Sequence, residues 1–275
     1  MIKTKLGGQK GQALLIVILV MVVALTITLS VISRAVVNLR TTQDQEKSQR
    51  ALAAAEAGIE QTIKNSFVPI AQDQNLSNNS SFTTSVTQLA GNAPFLVEGG
   101  NLITQNDGAY IWLSTYNEVG NWTTRWPTSG SANLDIYWGD SSGDNNNAAL
   151  EIAVISGSSV ANAVITRYVY DPSPTRRSSN NFSAPVNSPI AIQDKSFTYR
   201  ATISITDGMV VRVVPLYKSA YIAAAPASGA PAIAANQGRL ITAVGKSDET
   251  ARRVTVFQGY PELPADFFPY SLLVP

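Results

Sequence analysis

The chain has 275 residues, 45% of them hydrophobic and 14% charged, with a formal charge of +1. That is the size of one large or two modest domains, and the near-neutral balance gives no electrostatic footprint for nucleic acid. There is no cysteine and no histidine, which excludes disulfides, thiolate and imidazole metal sites, and every Ser-His-Asp or Cys-His catalytic arrangement.

The chain opens on a short polar segment whose only charges are Lys3, Lys5 and Lys10, followed by a charge-free apolar run from Gly11 to Ser33. As a helix this run spans roughly 34 Å at 1.5 Å per residue, enough to cross a hydrocarbon core of about 30 Å. Its many β-branched residues disfavour helix in water. In lipid the backbone must satisfy its own hydrogen bonds, so helix wins there. Lysines before the run, against Arg34 and Arg40 mixed with later acids, predict an N-terminus on the cytoplasmic side and everything after Arg34 outside the membrane. A plain secretory signal has an apolar core of about 7–15 residues and a small-residue cleavage site. This run is longer and has no clean site of that kind.

The helical pattern continues past the apolar run in "RAVVNLRTTQDQEKSQRALAAAEAGIEQTIKN". Val36, Leu39, Leu52, Ala55, Ile59 and Ile63 keep mostly helical spacing. Arg40/Asp44, Glu46/Arg50 and Glu60/Lys64 are opposite charges four apart, whereas Glu56/Glu60 repels. No proline falls between Gly11 and Phe67. The expectation is one continuous helix over residues 12–65, lipid-soluble over 12–33 and amphipathic beyond, with Gly58 as a soft spot. Pro69 and a cluster of Asn, Ser and Gln then mark residues 66–81 as a linker.

From 82 to 275 the hydrophobic period switches to two, which predicts an exported β-rich, sandwich-like domain and an α+β fold class overall. In "SFTYRATISITDGMVVRVVPLY", Phe197, Tyr199, Ala201, Ile203 and Ile205 alternate with polar residues, and Asp207-Gly208 predicts a two-residue hairpin turn. A second hairpin is expected in "ANLDIYWGDSSGDNNNAALEIAVIS". The segments "GAYIWLST", "VITRYVYD", "GRLITAVGK" and "RRVTVFQG" add strands. The apolar, Pro-rich "YPELPADFFPYSLLVP" is expected to pack back on the β domain as an edge segment.

A lysine-bearing leader, a glycine, an apolar helix from the next residue and a β domain after it together resemble the type IV pilin family, with its class III signal peptide. The "AAEAG" stretch, Ala54, Ala55, Glu56, Ala57 and Gly58, about forty residues downstream, resembles the N-terminal region of the minor-pilin assembly family PilX. A similar segment occurs in the minor pseudopilin at the tip of type II secretion systems. The resemblance covers residues 1–64. It implies removal of leader 1–11 by a prepilin peptidase that cuts between Gly11 and Gln12. It also implies methylation of the new Gln12 terminus and passage of the helix from the cytoplasmic membrane into a cell-surface filament core, beside other pilin subunits. That transfer is cheap because lipid tails are as apolar as leucine, so packing sets the preference.

The sequence departs from the family pattern at one informative place. Typical pilins carry Glu at the fifth residue after the cut, where it meets the terminal amine of a neighbour. Here that residue is Ile16, and no carboxylate occurs from Gly11 to Arg40. A subunit with no neighbour above it can lack this Glu, since the carboxylate serves to pair a charge buried in the filament core. The departure therefore points to an initiating or tip-proximal place. The proline that often bends pilin helices is absent too. Thr26, Thr28 and Ser30 can bond back to the preceding turn instead.

Three weaker signals remain. Asp140, Ser142, Asp144, Asn146 and Glu151 fall at EF-hand offsets, but Asn145 replaces the glycine at the sixth position and strands replace the flanking helices, so a polar loop is the competing reading. Trp112, Trp122, Trp126 and Trp138 cluster with Tyr110, Tyr116 and Tyr137. A sandwich core explains most of them, with Trp122 and Trp126 the surface candidates for a glycan or protein. Arg176-Arg177 reads as part of a solvated loop. No resident cofactor and no catalytic residues are expected. The leading reading is a non-enzymatic minor pilin or pilus assembly protein whose β domain mediates subunit, surface or adhesive contacts. The alternative is a single-span envelope protein whose β domain binds a glycan or protein ligand.

Overall fold

The computed structural model describes residues 10–115, 124–158 and 162–260, with side chains from Leu14 onward. Helix α1 runs without a break over Lys10–Lys64, 55 residues, or about 82 Å at 1.5 Å rise. Thr26 and Thr28 each donate a side-chain hydrogen bond to the preceding turn, at 2.8 Å to the carbonyls of Val23 and Ala24. The helix closes with a left-handed cap: Ser66 has φ 54°, its N–H bonds the Ile63 carbonyl at 3.2 Å, and the Phe67 N–H reaches back to Thr62 at 2.8 Å. This pattern satisfies carbonyls that the last turn would otherwise leave unpaired.

After α1 the chain is β-rich. The strands are β1 (Gln74–Asn75), β2 (Ser80–Gly91), β3 (Phe95–Leu96), β4 (Ala109–Trp112), β5 (Trp126–Trp138), β6 (Ala149–Ser156) and β7 (Val164–Tyr170). The short helix α2 (Pro174–Asn180) precedes β8 (Val186–Ile192), β9 (Lys195–Leu216), β10 (Ile222–Pro226), β11 (Ile233–Ser247) and β12 (Thr250–Gln258). They form a four-stranded sheet, β1-β2-β11-β12, and an eight-stranded sheet, β3-β10-β5-β9-β6-β7, with β4 and β8 also on β9. The fold is α+β, a long N-terminal apolar helix followed by antiparallel sheets.

The chain divides into two compact units. One contains the chain up to Thr84 with Ala243–Val254; the other contains Ser85–Thr242 with Thr255 onward. In the first unit the second half of α1 packs on its own strands. Ala51, Ala54, Ala55, Ile59 and Thr62 are buried along one face, at the spacing of a single helical stripe. Residues 66–81, read as a linker, include the two-residue strand β1 paired with β2 at Gln74↔Phe82 and Asn75↔Ser81.

The second unit is organised by β9, and here the structure corrects two expectations. Asp207-Gly208 is not the two-residue turn of a hairpin: β9 runs through it as one strand from Lys195 to Leu216. The strand changes neighbours there instead. Its first half pairs with β5 and β8, its second with β6 and β4. Both β5 and β6 break register beside Gly208. Asp207 has φ 50°, and a Cβ on Gly208 would lie 2.5 Å from Ile205 Cγ2 and 2.7 Å from Leu113 Cδ1. The Asp-Gly pair thus supplies a left-handed residue and a close approach, as a bulge does, rather than a turn. Strands β5 and β6 are likewise not a hairpin, because each pairs with β9.

Strand β9 must fold over at this corner. Trp138 pairs with Tyr199 and Ala149 pairs with Leu216, positions that a straight strand would separate by roughly 56 Å at 3.3 Å per residue. Yet the Trp138 indole donates to the Ala148 carbonyl at 2.9 Å, and its ring lies 6.5 Å from that of Tyr170. Residues of both halves, Leu134, Ile136, Ile203, Leu150, Ile152 and Val213 among them, share one core. Met209, Val210, Val211, Val213 and Val214 are all buried, so this half of β9 has cover on both faces and reads as a near-continuous apolar run.

Candidate functional site

The structure places three sets of sequence-predicted residues. The first is the N-terminal half of α1. Lys10, Gly11 and Gln12 form its opening turn; Lys3 and Lys5 lie outside the described residues. From Leu14 to Leu39 apolar side chains stand exposed all round, Ile16 at 59%, Met21 at 68% and Leu29 at 65%. This helix is long and apolar enough to cross a membrane, and its uniformly apolar surface is compatible with membrane anchoring.

The second is the "AAEAG" motif. Ala54, Ala55 and Gly58 point into the first unit, whereas Glu56 is exposed and Ala57 half-buried. A Cβ on Gly58 would lie 2.8 Å from the Phe82 ring and 3.1 Å from Thr84 Cγ2. Gly58 is therefore a contact point with β2, not the soft spot that helix propensity suggests. One turn on, the Thr62 hydroxyl donates to the Gly58 carbonyl at 2.8 Å and meets Thr84 Oγ1 at 2.9 Å. On β11 a Cβ at Gly245 would lie 2.0 Å from the Ala51 carbonyl oxygen and 2.5 Å from the Ala55 nitrogen. Helix and strand backbones meet there with no side chain between them. Small residues at 51, 54, 55 and 58 are what this approach requires. Around it, Lys47 pairs with Asp248 at 3.2 Å and Arg252 donates to Ser48 at 2.8 Å.

The third is the 140–151 segment. Asp140 Oδ1 accepts from the Ser142 N–H at 2.8 Å, and bonds from Ser142 hold its carboxyl below the usual range. Asp144 accepts from the Tyr199 hydroxyl. Burial, then the Asp144 carboxylate, push that phenol up to about 12. Glu151 lies on β6 opposite Val169 and pairs with Arg167 on β7. The five calcium-spaced residues are thus divided between a loop and a strand. Among the described residues no group of three or more acidic side chains is placed to hold a metal.

The described tryptophans are core. Trp112, Trp126 and Trp138 are 6%, 3% and 0% exposed; Trp122, Tyr116 and residues 261–275 lie outside the described residues. Trp126, expected at the surface, is anchored by its indole N–H to the Pro231 carbonyl at 2.9 Å. Gln237, which carried no sequence signal, clamps Trp112: it accepts from the Trp112 N–H at 2.9 Å and donates to its carbonyl at 2.7 Å. Its side-chain amide does there what a neighbouring strand would do.

Arg176-Arg177 is not a solvated loop. Both residues lie in α2, capped by Ser173. Arg176 donates to Asp171 Oδ2 at 2.9 Å, to the Asn145 and Asn147 carbonyls at 3.1 and 2.8 Å, and covers the Tyr217 ring at 4.8 Å. Asp171 is fully buried. Burial alone would raise its carboxyl, but bonds from Arg176, the Ser173 N–H and Asn180, with the Arg176 charge, outweigh it and hold the group below its ordinary value.

No protein-family model, characterised protein or solved structure matches the chain.

Proposed function

We propose that this chain is a minor pilin or pilus assembly subunit of a type IV pilus-like filament, set at or near the filament tip. One observation carries the reading: a single unbroken helix, Lys10–Lys64, whose first half exposes apolar side chains on every side and whose second half is docked on strands of its own chain. Such a helix suits two environments in turn, lipid before assembly and the apolar faces of neighbouring helices after it. The leader lysines and Gly11-Gln12 are the processing signal. Ile16, in place of a charge-pairing Glu, supports an initiating position. The β-rich part mediates contacts with subunits or surfaces, and no catalytic step is assigned to it.

The test is to shear filaments from cells and locate this chain on them by immunogold. The reading expects label at filament ends and loss of filaments on deletion. Label along whole shafts would overturn the tip position, and absence from filaments with intact piliation in the deletion strain would overturn the pilin reading.

A further inference from the structure

Beside the 140s loop, the second unit carries a trough that neither the helix nor the filament explains. A cavity of about 160 Å³ is bounded by Asp140, Asn146, Ser196, Phe197, Ser219 and Tyr221. A more open recess of about 530 Å³ adjoins it, sharing Asp140, Ser196 and Phe197 and extending along Asn187 and Pro189 of β8. The pair falls in the range of about 300–1,000 Å³ in which organic ligands are held.

We infer that this trough binds a neutral oligosaccharide, with Tyr221 as stacking platform and Asp140 as the main hydrogen-bonding group. Four features support that chemistry. Tyr221 lines the cavity and is 40% exposed, with the Lys195 ammonium 4.6 Å from its ring centroid, so part of its aromatic surface is open to the C–H face of a sugar. The polar rim carries a carboxylate, amides, hydroxyls and the Lys195 ammonium, groups suited to vicinal diols that both donate and accept.

The rim charges are also compensated. Lys195 pairs with Asp194 at 3.2 Å, and the Lys218 ammonium reaches Asn146 at 3.5 Å and acts on Asp140, which favours an uncharged ligand. Finally, the loop is held in place before any ligand arrives. Buried Asn147 accepts from the Asp140 N–H at 2.8 Å and donates to the Asp140 and Gly143 carbonyls at 3.0 Å, so ordering it on binding costs little. An extended peptide fits less well. Strand addition at β8 meets Pro189, which lacks an N–H, and a register break between Asn187 and Ile190.

The experiment uses the full chain in a detergent without a sugar headgroup, applied to an array of neutral and acidic oligosaccharides and of peptides. The strongest neutral oligosaccharide is then titrated calorimetrically. Tyr221→Ala and Asp140→Asn should each weaken binding at least tenfold. Tyr221→Phe should keep most of it, and Val164→Ser on β7 should leave it unchanged, with thermal unfolding confirming that each variant is folded. Binding to no neutral oligosaccharide, preference for peptides, or affinity unmoved in folded Tyr221→Ala and Asp140→Asn would overturn the inference. Leader processing and filament location are read separately, so either result stands without the other.

Discussion

Replacing Gly245 with alanine tests the packing of α1 on its own strands at its tightest point. The new Cβ would lie 2.0 Å from the Ala51 carbonyl oxygen and 2.5 Å from the Ala55 nitrogen, whereas ordinary contact begins at 3.4 Å. The first contact alone requires helix and strand to part by 3.4 − 2.0, about 1.4 Å. Both atoms are backbone, so no rotamer change relieves the clash. Overpacking of a well-filled interior costs about 1–3 kcal/mol where side chains can adjust, and rigid backbone places this case at about 3 kcal/mol or above. Complete undocking sets a ceiling: at about 0.8 kcal/mol per buried CH2 and about 2 kcal/mol for each large side chain, exposing Ala51, Ala54, Ala55, Ile59 and Phe82 costs roughly 6 kcal/mol. For a unit of this size a loss of about 3 kcal/mol lowers the melting temperature by roughly 12–24 °C. The assay is thermal unfolding of the full chain in detergent, followed by circular dichroism and by tryptic cleavage at Arg50, Lys246 and Arg252. Trp112, Trp126 and Trp138 all lie in the second unit, so tryptophan emission should be unchanged at temperatures where cleavage has already accelerated. A Gly245→Ala protein with wild-type melting and wild-type cleavage would show that helix and strand backbones do not meet at this point.

Further outcomes follow from the same geometry. Asp171→Asn removes one partner of a buried ion pair and should cost about 3 kcal/mol in denaturant unfolding. The folded carboxyl titrates below its unfolded value, so its stabilisation is present above about pH 4 and fades as pH falls through the folded pKa; the variant should lose that acid-range slope. Tyr199 is held up to about 12, so its share of stability is present below about pH 10 and fades as pH rises toward 12. Asp144→Asn should lower the phenol's titration midpoint, read by ultraviolet difference against Tyr199→Phe. Gln237→Leu leaves the buried Trp112 N–H and carbonyl without their clamp and should destabilise by about 2 kcal/mol, with altered tryptophan emission. Ile16→Glu should let the subunit take internal filament positions, seen as immunogold label along shafts; label confined to tips as in wild type would count against the role given to Ile16.

The sequence was most informative where one local signal had one physical meaning. A 3.6-residue period without proline specifies the helix, and the expected span of 12–65 differs from Lys10–Lys64 by one or two residues at each end. The alternation in Phe197–Ile205 marks the inward face of β9 correctly. Legibility fails where one signal serves two geometries. Asp-Gly fits a hairpin turn and a bulged corner alike, and only the pairing of β9 with four strands separates them. Gly245, a lone glycine in a strand, carries no trace of the helix backbone that meets it. Arg176 looks solvated because Asn145 and Asn147 are brought to it only by the fold, and the burial of Asp171, five residues before it, leaves no trace in the sequence. The trough was invisible for the same reason, since Asp140, Ser196 and Tyr221 are distant in sequence.

The pilin proposal requires α1 to be a processed filament helix. The most direct measurement is intact-mass and N-terminal peptide spectrometry of the chain purified from membranes of cells with and without prepilin peptidase. The expected result is a mature terminus at Gln12, methylated, that reverts to an uncut leader when the peptidase is absent. A chain that keeps its lysine leader in peptidase-positive cells would contradict it and leave α1 as a simple membrane anchor.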